Sequence, residues 1–431
     1  MADYDLVVRG GMVADGTGAA TREADIAVKD GKIAAVGKGV ARGREEIDAK
    51  GLLVTPGFVD IHTHYDGQAT WDSRLQPSSW HGVTTAVMGN CGFGIAPALP
   101  QSRDLVIKNL SVVEGMDLDA LRTGIKWDFE SFSDYMAMLR RRAPYANVAV
   151  LAGHSTIRTA VMGEAASQRK DATPEEIAKM KAMVGDAMAN GAIGLGASYS
   201  LNHSGFGGVP MPSTIAPMNE LDELVGAMGP RGKGVIAIAS GVKTPQELEP
   251  MAAKWGRPFF QGTGVAMYNE QAPDRAIKIF DDCAAALRRG NGLYIQIPCQ
   301  PLSFDFTLRD PYLLYSHDAF ARVKADDEKA TSPGDVLREL FKEYGPCLIL
   351  IDEWVAYARN LVSQGDLPAG TFDAQLSFAQ QLTEATRQVA NALLLISVPQ
   401  SINEIGGSNG ELACNGLKNV VTRLAYQWRP A

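Results

Sequence analysis

Residues 56–64 read Pro56-Gly57-Phe58-Val59-Asp60-Ile61-His62-Thr63-His64. A turn dipeptide opens the stretch, a short apolar run follows, and two histidines one residue apart close it. In extended chain, residues i and i+2 project from the same face, so both imidazoles can aim at one point. Two neutral imidazoles on one face supply half of a transition-metal site, of the kind zinc or a related divalent ion occupies. The bland alternative is a solvent-facing histidine pair that binds nothing. An apolar run delivered directly into the pair after Pro-Gly favours the metal reading.

Before this stretch the chain carries no helical period. Short β-rich runs, Asp5–Arg9, Ala24–Lys29 and Lys32–Val36, are punctuated by Gly10-Gly11, Asp15-Gly16 and Asp30-Gly31, which predicts a small N-terminal sheet domain. After it, apolar runs alternate with helical stretches, as in parallel α/β folds. Seven strands are expected before residue 300: Phe58–Ile61, Thr84–Met88, Val148–Ala152, Ala192–Ala197, Val235–Ala239, Pro258–Gln261 and Leu293–Ile297. Thr173-Pro174-Glu175-Glu176 signs a helix start, and Gly191 follows its end. A (β/α)8 barrel needs one strand more, and its functional groups sit at the C-terminal ends of its strands.

The next strand runs into Met88-Gly89-Asn90-Cys91-Gly92-Phe93-Gly94. Glycines on both sides of Cys91 allow close backbone approach and leave the sulfur accessible. A thiolate is a good zinc ligand, whereas an unpaired cysteine is more often a small buried hydrophobe. Its place one strand after the histidine pair favours the ligand. Among the other histidines, His154 ends the third strand and is a candidate for contact with substrate or with a metal ligand, against a satisfied core histidine. His203 lies in a Gly-rich loop and is a weaker candidate; His81 and His317 read as structural or exposed. Asp60 and Asp66 bracket the pair and are candidates to orient its imidazoles, or are simply solvated.

The stretches YDLVVRGGMVADGTG, DAKGLLVTPGFVDIHTHYDGQATWD, WHGVTTAVMGNCGFGIAP and AGHSTIR resemble the N-acyl-D-amino-acid deacylases (D-aminoacylases) of the amidohydrolase superfamily. The resemblance is strong over residues 1–165 and thinner to about 325, where Val209–Ala216 and Leu308–Pro311 persist. It implies a β-sandwich beside a metal-bearing (β/α)8 barrel, and hydrolysis of a linear amide in an N-acyl amino acid by metal-activated water. It makes His62, His64 and Cys91 metal ligands, for zinc or another divalent ion. The family also has histidine ligands ending its fifth and sixth strands and an aspartate from its last strand. Here the corresponding ends read Val235-Ile-Ala-Ile-Ala239 and Pro258-Phe-Phe-Gln261, and no such aspartate motif occurs. The general base is thereby left unassigned.

Beyond Ala325–Pro333 the texture changes again. GDVLRELFKEYGPCLILIDEWVAYARNL reads as helix, apolar strand and then Asp352-Glu353, and residues 331–431 resemble the Walker B region of a family of uncharacterised P-loop ATP-binding proteins. No GxxxxGK[ST] occurs anywhere in the chain, so no ATP hydrolysis is expected. The expected organisation is an N-terminal β-sandwich part (1–55), an incomplete metal-dependent hydrolase barrel of amidohydrolase type (56–325) and an ATPase-like α/β segment without a P-loop (331–431). An alternative lets Cys347–Ile351 serve as an eighth barrel strand and present Asp352 to the metal.

Composition narrows the function classes. Of 431 residues, 46% are hydrophobic and 21% charged, which excludes wholesale disorder. The formal net charge of −8 and the absence of long basic runs give nucleic-acid binding no support. Five scattered cysteines without a CxxC pair fit a reducing compartment. With no apolar run of membrane length, a cytoplasmic protein is expected, active on a small molecule. A barrel short of a strand exposes edges that invite oligomer formation. The competing reading is an inactive remnant or fusion that serves as a binding module or has no function.

Overall fold

Asp30-Gly31 joins two strands by a turn in which both residues take positive φ (52° and 71°). That geometry matches the right-handed twist of the flanking strands and explains the Asp-Gly pair. The computed structural model describes residues 2–262, 273–299, 318–365, 370–399 and 401–421. His317 and Leu308–Pro311 lie outside these described residues. The first strands are β1 (Tyr4–Val13), β2 (Arg22–Lys29), β3 (Lys32–Gly37), β4 (Gly43–Asp48) and β5 (Leu53–Val54). They form one mixed sheet in the order β3-β2-β1-β4, with β5 also paired to β1.

All seven expected α/β strands are present: β6 (Phe58–Asp60), β7 (Val83–Met88), β8 (Asn147–Gly153), β9 (Gly194–Ser198), β10 (Val235–Ala239), β11 (Phe259–Gly262) and β12 (Leu293–Ile295). They pair in parallel, in strict chain order from β6 to β12. Parallel sheets covered on both faces require near-continuous apolar strands. Accordingly every residue of β9 is buried, and so are the last four of β10. Helices return the chain between strands. Pro174–Ala189 starts with the expected capping box, Thr173 and Glu176 exchanging side-chain and backbone bonds. Phe132–Arg142 and Pro245–Trp255 start in the same way, through Ser131–Asp134 and Thr244–Glu247. The product is a curled parallel sheet, an incomplete (β/α) barrel. Phe58, Val59 and Ile61 at one edge, and Tyr294 and Ile297 at the other, are exposed.

Two compact units divide the chain, Met1–Phe304 and Asp305–Ala431. In the second, β13 (Cys347–Ile351) and β14 (Ala392–Ile396) form a separate two-stranded parallel sheet. Cys347–Ile351 therefore pairs with Ala392–Ile396 and not as an eighth strand of the seven-stranded sheet, which corrects the alternative raised above. Ile349, Ile351, Leu394 and Ile396 pack on a core that includes Trp354, Leu382 and Leu417. The alternate residues Leu348, Leu350, Leu393 and Leu395 are exposed, as a strand's two-residue period requires. Asp352 follows β13 and accepts hydrogen bonds from Ser397 Oγ and from the Glu353 amide (3.0 Å). Among the described residues no helix is long and apolar enough to cross a membrane.

Candidate metal centre

Thr63 is the peg that aims the histidine pair. Its amide and its hydroxyl both donate to the carbonyl of Val87, at 3.0 and 2.7 Å, and the residue is buried. With Thr63 turned into β7, its neighbours His62 and His64 turn the other way, their rings 5.3 Å apart and inclined at 62°. Cys91 lies in the short turn Asn90–Gly92 after β7, at φ 53°. A non-glycine residue in the left-handed region costs about 1–2 kcal/mol, so the surroundings hold this turn in place. The Gly89 amide donates to Asp66 Oδ2 (3.1 Å), and Asn90 Nδ2 donates to the Val87 carbonyl (2.9 Å).

These restraints place Cys91 Sγ 3.4 Å from His62 Nε2. One donor atom each from His62, His64 and Cys91 lies within 4.8 Å of the others. The far nitrogen of His62, Nδ1, donates to Gln296 Oε1 at 2.8 Å, so Nε2 carries the lone pair that faces the thiol. His64 Nε2 is 3.4 Å from Glu114 Oε1, and its buried Nδ1 has no hydrogen-bond partner.

Burial lowers the pKa of His62 and takes that of His64 well below the usual imidazole value. Both rings are therefore neutral, the state that binds a cation. Burial, with Glu114 nearby, raises the Cys91 thiol well above its ordinary value. A divalent cation would reverse that shift, and ligation would release the thiol proton. An orphaned ring nitrogen, two neutral imidazoles and a thiol free of disulfide partners together fit a transition-metal ion.

The remaining candidates go elsewhere. Asp66 is buried, pins the Cys91 turn through Gly89, and is pushed up to about 7 by burial. Asp60 accepts from Ser78 Oγ (3.1 Å) and the His62 amide (3.3 Å). His154 is fully buried at the start of the helix His154–Met162, 2.8 Å from Glu220 Oε1, beside the Arg158–Glu220 ion pair. That is a core position, paired through Nε2 alone, since its buried Nδ1 has no hydrogen-bond partner among the described residues. His203 hydrogen-bonds Ser198 Oγ (2.7 Å) and meets Phe93 edge-on at 5.0 Å; burial and nearby His62 lower it to about 4. His81 is exposed in the short turn Ser78–His81.

Sequence reasoning missed Gln296 and Glu114. Neither stands in a motif, and only the curl of the sheet and the end of the helix Arg103–Val113 bring them to the pair. Where the deacylase pattern has two more histidines, β10 runs into Ser240 and β11 ends in Gln261-Gly262. Gln261 is buried and donates to Cys283 Sγ (3.0 Å).

A family model for amidohydrolases matches residues 45–322 and so spans most of the chain, the candidate centre included. The chain belongs to the amidohydrolase family. D-aminoacylase of Alcaligenes xylosoxydans xylosoxydans is 39% identical over 199 residues, 46% of this amidohydrolase and 38% of the relative. N-acyl-D-aspartate deacylase of the same organism is 32% identical over 239 residues, 55% and 43% of the two chains. A solved D-aminoacylase with a binuclear metal centre superposes with a TM-score of 0.54 at 30% identity, covering 68% of this amidohydrolase and 58% of that chain. N-acyl-D-glutamate deacylase from Bordetella bronchiseptica, complexed with zinc and a phosphonate inhibitor, gives a TM-score of 0.53 at 26% identity, over 69% and 59% of the two chains. This amidohydrolase thus spans about half or less of the length of these sequence relatives.

Proposed function

We propose that this amidohydrolase hydrolyses the linear amide bond of N-acyl amino acids, as an N-acyl-D-amino-acid deacylase does, with a divalent ion, zinc foremost, held by His62, His64 and Cys91. The observation that carries this reading is the convergence of those three donor atoms within 4.8 Å just past the C-terminal ends of β6 and β7. When bound, such an ion supplies a Lewis acid that brings the pKa of water toward neutrality and polarises the amide carbonyl. The chain's part is to present His62 through Nε2, fixed by Gln296, and to keep the imidazoles neutral by burial. Phe93 packs between His64 and His203 and helps keep water off the far side of the pair. Residues 56–325 form the hydrolase part in this reading, with 1–55 as its N-terminal β domain and 331–431 as an ATPase-derived segment.

The ends of β10 and β11, without histidine, favour a second reading: an amidohydrolase by descent that has lost turnover. One experiment separates the two. Metal is quantified in the purified chain and in His62→Ala and Cys91→Ala variants, and each is assayed on N-acetyl-D-amino acids. Near-stoichiometric zinc, lost in both variants together with hydrolysis, supports the deacylase. Bound metal without hydrolysis supports the remnant, and a parent chain that retains no metal removes the metal centre altogether.

A further inference from the structure

The helix Arg275–Arg288 packs against β12 with Cys283 and Ala286 buried and Ile279 against the core. A surface helix ordinarily presents charged and polar residues on its other side. This one presents a second apolar stripe. Ile277, Phe280 and Leu287 are 63%, 54% and 40% exposed, and half-buried Ala284 lies in line with them. Their spacings of three, four and three residues are those of the a and d positions of a heptad, the seam along which two helices pack. A single exposed apolar side chain is ordinary on a protein surface, whereas an aligned row over three turns points to a contact.

Laid antiparallel on a second copy of itself about a two-fold axis, the stripe is self-complementary in size and in charge. The middle layers set Phe280 against Ala284 of the second copy, a large side chain against a small one. The outer layers set Ile277 against Leu287. Asp281 and Arg288 each follow a d residue and so flank the seam on one side. In an antiparallel pair those positions of the two helices face each other, and Asp281 of each copy meets Arg288 of the other. Both residues are exposed, and neither has an ion-pair partner among the described residues, whereas the adjacent Arg289 is held by Glu249 at 2.6 Å. A parallel pairing would stack Phe280 on Phe280 and leave both charges without an opposite.

We propose that two copies of this chain associate through this face, the helix Arg275–Arg288 of one lying antiparallel on that of the other across a two-fold axis. The place of the helix in the fold leaves the face open. It packs beside the helix Pro245–Trp255 on one flank and precedes β12, the edge strand of the sheet. Among the described residues of Met1–Phe304 no further helix follows to cover its other flank. Three turns of helix make a small interface, so the association belongs to the weak, concentration-dependent class. The inference does not depend on the metal centre.

The test is sedimentation velocity of the purified whole chain over concentrations from about 5 to about 300 μM, the range in which a weak interface fills. The parent should pass from monomer to dimer. Phe280→Glu puts a charge into the seam and should leave a monomer at every concentration. Asp281→Arg and Arg288→Asp each bring like charges together twice across the two-fold axis. Either one alone should raise the dissociation constant of the dimer about 10-fold. The double variant restores both opposite pairs and should return the constant to within about threefold of the parent. All four substitutions change exposed side chains, and circular dichroism with urea unfolding checks that each variant folds as the parent does. A parent that stays monomeric at the highest concentration overturns the proposal, as does a dimer that survives Phe280→Glu. Single charge variants without effect, or a double variant that fails to restore association, overturn the antiparallel pairing.

Discussion

His62 Nδ1 and Gln296 Oε1, 234 residues apart in sequence, are joined by a 2.8 Å hydrogen bond that links the end of the first barrel strand to the end of the seventh. The bond fixes which nitrogen of His62 bears the proton and so which one faces Cys91. It also spans the open sheet, since the two strands share no backbone pairing among the described residues. Partners of this kind raise the basicity of a metal-bound imidazole and hold its plane. Gln296→Leu keeps the bulk and removes the acceptor. Metal affinity should fall about 10-fold, with no change in the metal-free fold by circular dichroism. Unaltered affinity would show that the ring is held by packing alone.

Arg158 and Glu220 carry a different kind of weight. Arg158 is fully buried and donates to Glu220 Oε2 and to the carbonyls of Ala166, Arg169 and Lys170, while His154 occupies Glu220 Oε1. Glu220→Gln strands the guanidinium, and breaking a buried pair from one side costs about 3–5 kcal/mol. The exposed pair Lys181–Glu223 is the control, because Glu223→Gln should cost less than about 1 kcal/mol. Urea unfolding of the two variants measures the contrast, and equal midpoints would refute it.

The parts of this architecture that were legible in the sequence are those set by local chemistry. Apolar runs gave away seven strands because a sheet covered on both faces tolerates little else. Thr173-Pro174-Glu176 and Asp30-Gly31 announced a helix start and a hairpin through backbone bonds made within a few residues. His62, His64 and Cys91 could be grouped because each closes a strand, and parallel strands end on one side. Gln296 and Glu114 were invisible for the opposite reason. Their importance comes from the curl of the sheet and from where one helix stops, neither of which leaves a periodic trace. His154 shows a limit of the strand-end argument. The helix begins at that residue, and Glu220 draws the imidazole into the core.

The buried histidines make an acid-sensitive contribution to the unit that holds the centre. Burial and neighbouring His62 lower His203 from 6.5 to about 4, and buried His62 and His64 are shifted in the same direction. Between pH 6.5 and 4 the unfolded chain takes up protons that the folded chain refuses, so stability present above pH 6.5 is lost as the pH falls. Each histidine contributes at most about 1.4 kcal/mol per pH unit within its window. Asp66 and Glu114, pushed up to about 7 and about 8, hold protons in the folded chain over the same range and act in the opposite sense. The histidine contribution is therefore the part of any decline in the urea midpoint of the metal-free chain that a His203 variant removes. His203→Asn retains a polar group beside Ser198 but has no proton to gain, and its decline should be shallower. Parallel slopes for parent and variant would exclude His203 as a contributor.

Gly196 on β9 sits directly beneath the turn that carries Cys91. A Cβ there would lie 2.1 Å from the Gly89 carbonyl oxygen and 3.1 Å from the Gly92 amide nitrogen, both backbone atoms of that turn. Neither can swing aside as a long side chain would, so Gly196→Ala must lift the turn as a body and draw Sγ away from His62 Nε2. Overpacking of a buried site of this kind costs about 1–3 kcal/mol. The variant should unfold at lower urea and, while still folded, retain less metal than the parent, although residue 196 carries no ligand atom. Full metal retention in a destabilised Gly196→Ala would mean that the turn yields without moving the thiol, and that the close approach of β9 serves the fold and not the centre.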